Sequence, residues 1–84
     1  MSIRAYILVE AAVGKAKAVV EGIGGLIRLE GAEIKSVDGV TGPFDAIALI
    51  EAGSLDQLGA AITEGFHKID GVCRTTTCLV AKIG

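Results

Sequence analysis

The sequence predicts an α+β domain of the ferredoxin-like βαββαβ type, a four-stranded antiparallel sheet with two helices on one face. Its 84 residues are the length of one domain, so 1–84 is predicted to be a single unit. Hydrophobic periodicity indicates the order strand, helix, strand, strand, helix, strand. That order gives two similar βαβ halves, which right-handed crossovers fold into one sheet.

The first strand is predicted over residues 3–10, because apolar residues fall on both of its alternating faces. One face carries Ile3, Ala5, Ile7 and Val9, and the other carries Tyr6 and Leu8. A strand of this kind is covered on both sides.

The first helix is predicted to begin at Lys15, after a turn over residues 11–14. Apolar residues then recur at helical spacing, at Ala16, Val19, Val20, Ile23 and Ile27. Glycines at positions 22, 24 and 25 each cost about 1 kcal/mol relative to alanine, so the helix is expected to kink or stop there.

Residues 33–41 and 45–52 are predicted to form a hairpin of two strands, joined by a turn at Gly42 and Pro43. The first strand alternates and the second is a continuous apolar run typical of a central strand. The alternation puts one set of residues on one face and a second set on the other: Ile34, Ser36, Asp38 and Val40 against Lys35 and Val37.

The second helix is predicted to begin at Ser54, which forms a capping-box pattern with Gln57 three residues later. Its apolar residues recur every three to four positions, at Leu55, Leu58, Ile62, Phe66 and Ile69. Asp70 and Gly71 are predicted to end it, and residues 72–82 to form the last strand.

Composition excludes several classes of protein. The formal net charge is -2, and the charged residues are scattered, so no basic stripe predicts binding to nucleic acid. The apolar stretch at 5–14 is interrupted by Glu10 and is too short to span a bilayer. We therefore expect a soluble, cytoplasmic protein.

The two cysteines, Cys73 and Cys78, fall in one predicted strand, with Cα atoms about 16 to 17 Å apart. A disulfide between them is excluded by this separation. The only histidine, His67, falls in a different element, where a structural role near a helix C-terminus is expected. We expect both thiols to pack as small hydrophobes, and we expect neither a metal nor a cofactor.

Two helices on one face leave the other sheet face uncovered, although it is partly apolar. An apolar patch of this size exceeds what monomers usually expose. The sequence therefore predicts a dimer that packs sheet against sheet or edge against edge.

Two segments, 40–45 and 71–77, together resemble one ligand site. In the first, Gly42 allows close backbone approach and Asp45 adds a carboxylate; in the second, Thr75 and Thr77 share a strand face. Each of these residues also has a structural explanation. Gly42 and Pro43 are common turn residues of a hairpin, Asp45 could cap its own turn, and threonines are ordinary strand residues.

These segments, with residues 5–9, carry a resemblance to the effector-binding and oligomerisation (RAM) domain of the Lrp/AsnC family of transcriptional regulators. The resemblance covers essentially the whole chain. The first strand begins at residue 3, so the chain looks like a stand-alone version without the DNA-binding helix-turn-helix. The glycine-rich segment 21–33 is about five residues longer than such a domain leads us to expect.

The resemblance implies a module that binds an amino-acid effector and modulates transcriptional regulation through assembly. It implies dimers that associate further, commonly into octamers, with effector sites between dimers, and mixed assemblies with full-length relatives. Residues carried over as the site loop are Thr41, Gly42, Pro43, Phe44 and Asp45; Thr75 and Thr77 are carried over as its hydroxyl wall. Such groups suit an α-amino acid, whose carboxylate needs donors and whose ammonium needs acceptors.

Two alternatives belong to other classes. A small dimeric enzyme of the α+β barrel monooxygenase or isomerase type shares the topology, but it needs an acid or base in a cavity, and the only candidate is His67. The second alternative is a structural assembly protein that binds no ligand. On the resemblance, the chain is expected not to be an enzyme.

Overall fold

The elements of the computed structural model follow the predicted order, and the structure describes residues 2–26 and 29–81. They are β1 (Ile3–Ala11), α1 (Ala16–Gly24), β2 (Ala32–Gly39), β3 (Ala46–Ala52), α2 (Leu55–Glu64), a 3-10 turn (Phe66–Lys68) and β4 (Val72–Leu79). The strands form an antiparallel sheet in the order β2-β3-β1-β4. This arrangement with two helices is the ferredoxin-like α+β fold, as the sequence predicts.

The core lies between the sheet and the helices. The central strands β1 and β3 turn every second side chain towards the helices, and these are buried: Ala5, Ile7, Val9, Ala46, Ala48, Ile50 and Ala52. The helices and the 3-10 turn cover them with Val19, Ile23, Leu58, Ala61 and Phe66. Small side chains on β3 let the helices approach the sheet closely, which suits a core with a single buried aromatic ring among the described residues.

The first helix stops where the glycines predict. α1 ends at Gly24, and the backbone N–H of Gly25 bonds to the carbonyl oxygens of Glu21 and Gly22. The predicted apolar contact at Ile27 lies outside the described residues.

The second helix is shorter than predicted. Ser54 caps it as expected, because its Oγ accepts a hydrogen bond of 3.1 Å from the backbone N–H of Gln57. The prediction of one helix through Ile69 is wrong, since α2 ends at Glu64 and the chain tightens into the 3-10 turn. The change occurs at Gly65, because glycine is a weak helix former, and there the backbone leaves the helix with φ of -103° and ψ of -75°.

The predicted hairpin of β2 and β3 is confirmed, but the faces of β2 are not as predicted. A bulge between Ile34 and Ser36 shifts the register, so Ile34 and Val37 share the helix side while Ser36 turns away. β2 ends at Gly39, which leaves Thr41 in the loop. β4 ends at Leu79, so Val80 and Ala81 are not in the strand, and the predicted end at residue 82 lies outside the described residues.

The opposite side of the sheet, called here the open face, is apolar in the middle. Its centre is formed by side chains that lie across from one another on β1 and β3: Tyr6, Leu8, Ile47 and Leu49. Tyr6 is 45% exposed. Ion pairs lie towards the rim of this face, Arg4 with Glu51 at 2.8 Å and Arg74 with Glu10 at 3.5 Å.

Candidate functional site

Three connections meet at the end of the sheet where β1 ends and β4 begins. They are the β2–β3 loop, the β1–α1 turn and the turn that leads into β4. The β2–β3 loop is tied to β1 by a hydrogen bond of 2.8 Å from the Asp45 backbone N–H to the Val9 carbonyl oxygen. The β1–α1 turn is tied to the start of β4 by a bond of 2.7 Å from Ala12 N–H to Gly71 carbonyl oxygen. The two predicted site segments therefore begin at the same end of the fold.

Asp45 has a structural bond in the isolated chain. Its Oδ2 accepts a hydrogen bond of 2.8 Å from the backbone N–H of Ala11, the last residue of β1, where the register with β4 shifts. Its own carbonyl oxygen accepts a bond of 2.9 Å from Val40 N–H, which closes the loop. The side-chain bond uses one of the two carboxylate oxygens, so a structural role and a ligand role are compatible.

The tip of the loop is open to solvent. Gly42 has φ of +115°, in the region that favours glycine, and an added Cβ would meet no atom within 4 Å. Pro43 is exposed and Phe44 is half-buried. Gly42 is therefore required by the backbone conformation rather than by crowding.

A groove of about 710 Å³ lies between α1 and the end of β2. Its lining consists of Ala16, Lys17, Val20, Glu21, Gly39, Val40, Thr41 and Asp45. Two predicted site residues, Thr41 and Asp45, line it together with charges of both signs from α1. Sequence reasoning missed Lys17 and Glu21, although their spacing of four puts them on one helix face beside the predicted loop.

The threonines lie on the other side of β1. Thr75 pairs with Val9 and Thr77 with Ile7, so the two side chains share one face, as predicted, and that face is the helix side. Thr75 is half-buried and Thr77 is exposed. Because β1 separates β4 from β3, these threonines are about 10 Å across the sheet from the start of β3. Neither this groove nor any of three smaller cavities among the described residues is lined by both the loop and the threonines.

A contact that the sequence did not predict joins the last strand to the 3-10 turn. His67 Nε2 lies 2.9 Å from Thr75 Oγ1, within hydrogen-bond distance. The two residues are eight apart in the chain, a spacing that carries no local signal. The contact arises because the 3-10 turn folds back over β4.

The cysteines are placed differently from the expectation. Both Cys73 and Cys78 are free and exposed, so the expectation that they pack as small hydrophobes is wrong. Cys73 is the extra residue of a bulge in β4, between Val72, which pairs with Ala11, and Arg74, which pairs with Glu10. In the described part of the chain, no three metal-ligating side chains cluster, and no helix is both long and apolar enough to cross a bilayer.

The fold is a small ferredoxin-like domain with a groove at its loop end that is open to solvent. The model of the family described as "Lrp/AsnC ligand binding domain" matches residues 4–83. The chain therefore belongs to the Lrp/AsnC ligand-binding domain family, a family of regulatory domains rather than a known enzyme family. No curated protein sequence matches the chain significantly.

Solved structures share this fold over nearly the whole chain. The protein TTHA0845 from Thermus thermophilus is 29% identical, with a TM-score of 0.83 over 98% of this chain and 96% of that one. The hypothetical protein PHS023 from Pyrococcus horikoshii is 28% identical, with a TM-score of 0.79 over 96% of this chain and 92% of that one.

A longer protein has the same fold in part of its chain. The transcriptional regulator NMB0573 from Neisseria meningitidis, solved as a complex with L-Met, is 16% identical, with a TM-score of 0.79. The match covers 95% of this chain and 50% of that one. At this identity the likeness shows the fold alone.

Proposed function

We propose that this chain binds a small amino-acid effector and conveys the binding to transcriptional regulation through changes of assembly. The observation that carries the proposal is the family match across residues 4–83. The L-Met complex of a regulator with the same fold supports an amino acid as the ligand. We propose binding without catalytic turnover, in the cytoplasm, where transcription is regulated.

The proposed site combines two segments from neighbouring copies. One copy supplies the loop residues Thr41, Gly42, Pro43, Phe44 and Asp45, and the other supplies Thr75 and Thr77. Two copies are needed because, within one chain, the groove and the threonines lie on different sides of β1. Hydroxyls suit the ligand carboxylate, and the free oxygen of Asp45 suits its ammonium.

The proposed assembly begins with a homodimer in which the open face of one copy packs against that of another. Dimers then associate into an octamer or a similar oligomer through their loop ends, and family members with DNA-binding domains join mixed assemblies. Ligand bound between dimers shifts the assembly equilibrium by its difference in affinity for the two states. Regulation thus needs no direct contact between this chain and DNA.

Calorimetry against the twenty amino acids tests the proposal. At least one is expected to bind, and Thr77→Val is expected to weaken that binding about tenfold, because it removes a hydrogen bond to a charged group while keeping the shape of the side chain. Thr63→Val is the matched control, since Thr63 is an exposed threonine on α2, away from the site. Failure of all twenty to bind would overturn the function, and equal affinities of Thr77→Val and wild type would overturn the site.

A further inference from the structure

We infer that Lys17 and Glu21 on α1 belong to the effector site, so that the groove of one chain recognises both charged groups of an α-amino acid. Lys17 binds the carboxylate, and Glu21 joins Asp45 in binding the ammonium. The inference rests on the proposed function and names the ligand class as amino acids in which both groups are free. It places the effector in the groove of about 710 Å³ between α1 and the end of β2.

The loop and strand residues of the proposed site carry no positive charge. Asp45 is the charged residue among them, and their other polar side chains are threonine hydroxyls. A carboxylate binds best to a cationic donor, because charge-assisted hydrogen bonds are about twice as strong as neutral ones. Within the described residues, the lining of the groove contains one cation, Lys17, together with the carboxylates of Glu21 and Asp45. The lining therefore has a partner for each charge of a zwitterionic ligand.

The two charges on α1 are available to such a ligand. Lys17 and Glu21 are both exposed, and neither makes an ion pair within the described ranges. Their spacing of four places them on one helix face, with Cβ atoms about 5 to 6 Å apart, a distance that one small molecule can bridge. Asp45 contributes its second carboxylate oxygen, since the bond from Ala11 N–H uses only Oδ2.

The stability of the fold does not explain a lysine at position 17. Lys17 is the second residue of α1, whose first turn contains no acidic residue and whose N-cap, Lys15, makes no side-chain capping bond. The helix dipole disfavours a positive charge at this end and favours an anion. Lys17→Met is therefore expected to unfold at the same urea concentration as wild type or at a slightly higher one, so that a loss of binding reports on the ligand.

The floor of the groove leaves room for the ligand at Gly39. An added Cβ there would lie 3.6 Å from Val20 Cγ2 and 3.9 Å from the Asp45 carbonyl oxygen, which are ordinary contacts. Gly39 is not among the glycines with positive φ, so a substitution does not strain the backbone. A branched side chain at this position would fill the space beside Asp45 while the strand is kept.

The main experiment compares the tightest-binding of the twenty amino acids with its α-carboxamide, by calorimetry on the full chain. At about pH 6 both ligands carry the ammonium, and only the acid carries the α-carboxylate charge. Wild type is expected to bind the acid about tenfold more tightly than the amide. Lys17→Met is expected to weaken binding of the acid about tenfold and to leave the affinity for the amide unchanged, whereas Lys17→Arg is expected to retain the preference for the acid.

Two further variants test the other contacts of the ligand. Glu21→Gln is expected to weaken binding of acid and amide by the same factor, about three- to tenfold, because both ligands keep the ammonium. Gly39→Val is expected to weaken both ligands because it fills the groove. Lys35→Met removes an exposed lysine of β2 outside the groove lining and is the matched control, which is expected to bind both ligands as wild type does. Circular dichroism during urea unfolding checks that each variant is folded.

The outcomes separate this inference from the proposed function. If Lys17→Met changes neither affinity, or weakens acid and amide equally, the inference is overturned. A folded Gly39→Val variant that binds as wild type does would also overturn it, and unchanged affinities in Glu21→Gln would overturn the role of Glu21. In each case an amino acid still binds, so the proposed function stands. Failure of all twenty amino acids to bind wild type would overturn both.

Discussion

At the scale of the residue, the carboxyl of Glu51 shows how a neighbour sets a proton affinity. The hydrogen bond of 2.8 Å from Arg4 Nε holds the pKa of Glu51 below its usual value; the charges of Arg4 and Lys35 add to this and partial burial opposes it. The pKa of Glu51 is therefore lower in the folded protein than in the unfolded one. The ionised carboxylate stabilises the fold at pH values above the unfolded pKa, and this stabilisation is lost as the pH falls through the folded pKa.

We expect Arg4→Met to raise the pKa of Glu51 towards the ordinary glutamate value of about 4.3, since it removes the donor and most of the positive charge. Carboxyl resonances followed by NMR during an acid titration measure this directly. Arg74→Met, which removes the partner of Glu10 at 3.5 Å, is the control and is expected to leave Glu51 unchanged. A Glu51 midpoint that is the same in wild type and Arg4→Met would contradict the assignment.

At the scale of the element, the turn between the 3-10 turn and β4 depends on the absence of a side chain at Gly71. Both Gly71 and Gly14 have positive φ, +99° and +78°. A Cβ at 71 would lie 2.7 Å from Lys15 Cβ and 3.2 Å from Val19 Cγ2, whereas a Cβ at 14 would meet nothing within 4 Å.

We therefore expect Gly71→Ala to lower the free energy of unfolding by about 1 to 2 kcal/mol more than Gly14→Ala, because both strain the backbone but only the first is crowded. Urea unfolding followed by circular dichroism compares the two variants. Similar losses of stability would show that the contact with Lys15 and Val19 relaxes without cost.

The elements also show which features a sequence can predict. The cap at Ser54 and the shared face of Thr75 and Thr77 follow from local spacing, and both are present. The end of α2 leaves no such pattern, because apolar residues keep helical spacing past Gly65 through Phe66 and Ile69. The bulge beside Ile34 depends on pairing with β3, and the contact of His67 with Thr75 depends on tertiary folding, so neither leaves a local pattern.

At the scale of the whole molecule, the open face is the largest feature that one chain leaves unexplained. Leu8, Ile47 and Leu49 lie side by side at its centre, with Tyr6 beside them. The ion pairs at Glu51 and Glu10 lie towards its rim, a distribution typical of an interface with an apolar centre and a polar edge. The fold alone therefore gives a physical reason for the proposed dimer.

We expect wild type to sediment as a dimer or a larger oligomer at micromolar concentration, and Leu49→Glu to sediment as a folded monomer. A charge at the centre of two apposed faces would be buried without a partner, which costs more than such an interface gains. Tyr6→Glu provides a second test at a more exposed position, and Val13→Glu, at a fully exposed turn, is the control. A monomeric wild type would contradict the proposed dimer, and face variants that keep the wild-type oligomer would show that the chain associates by another surface.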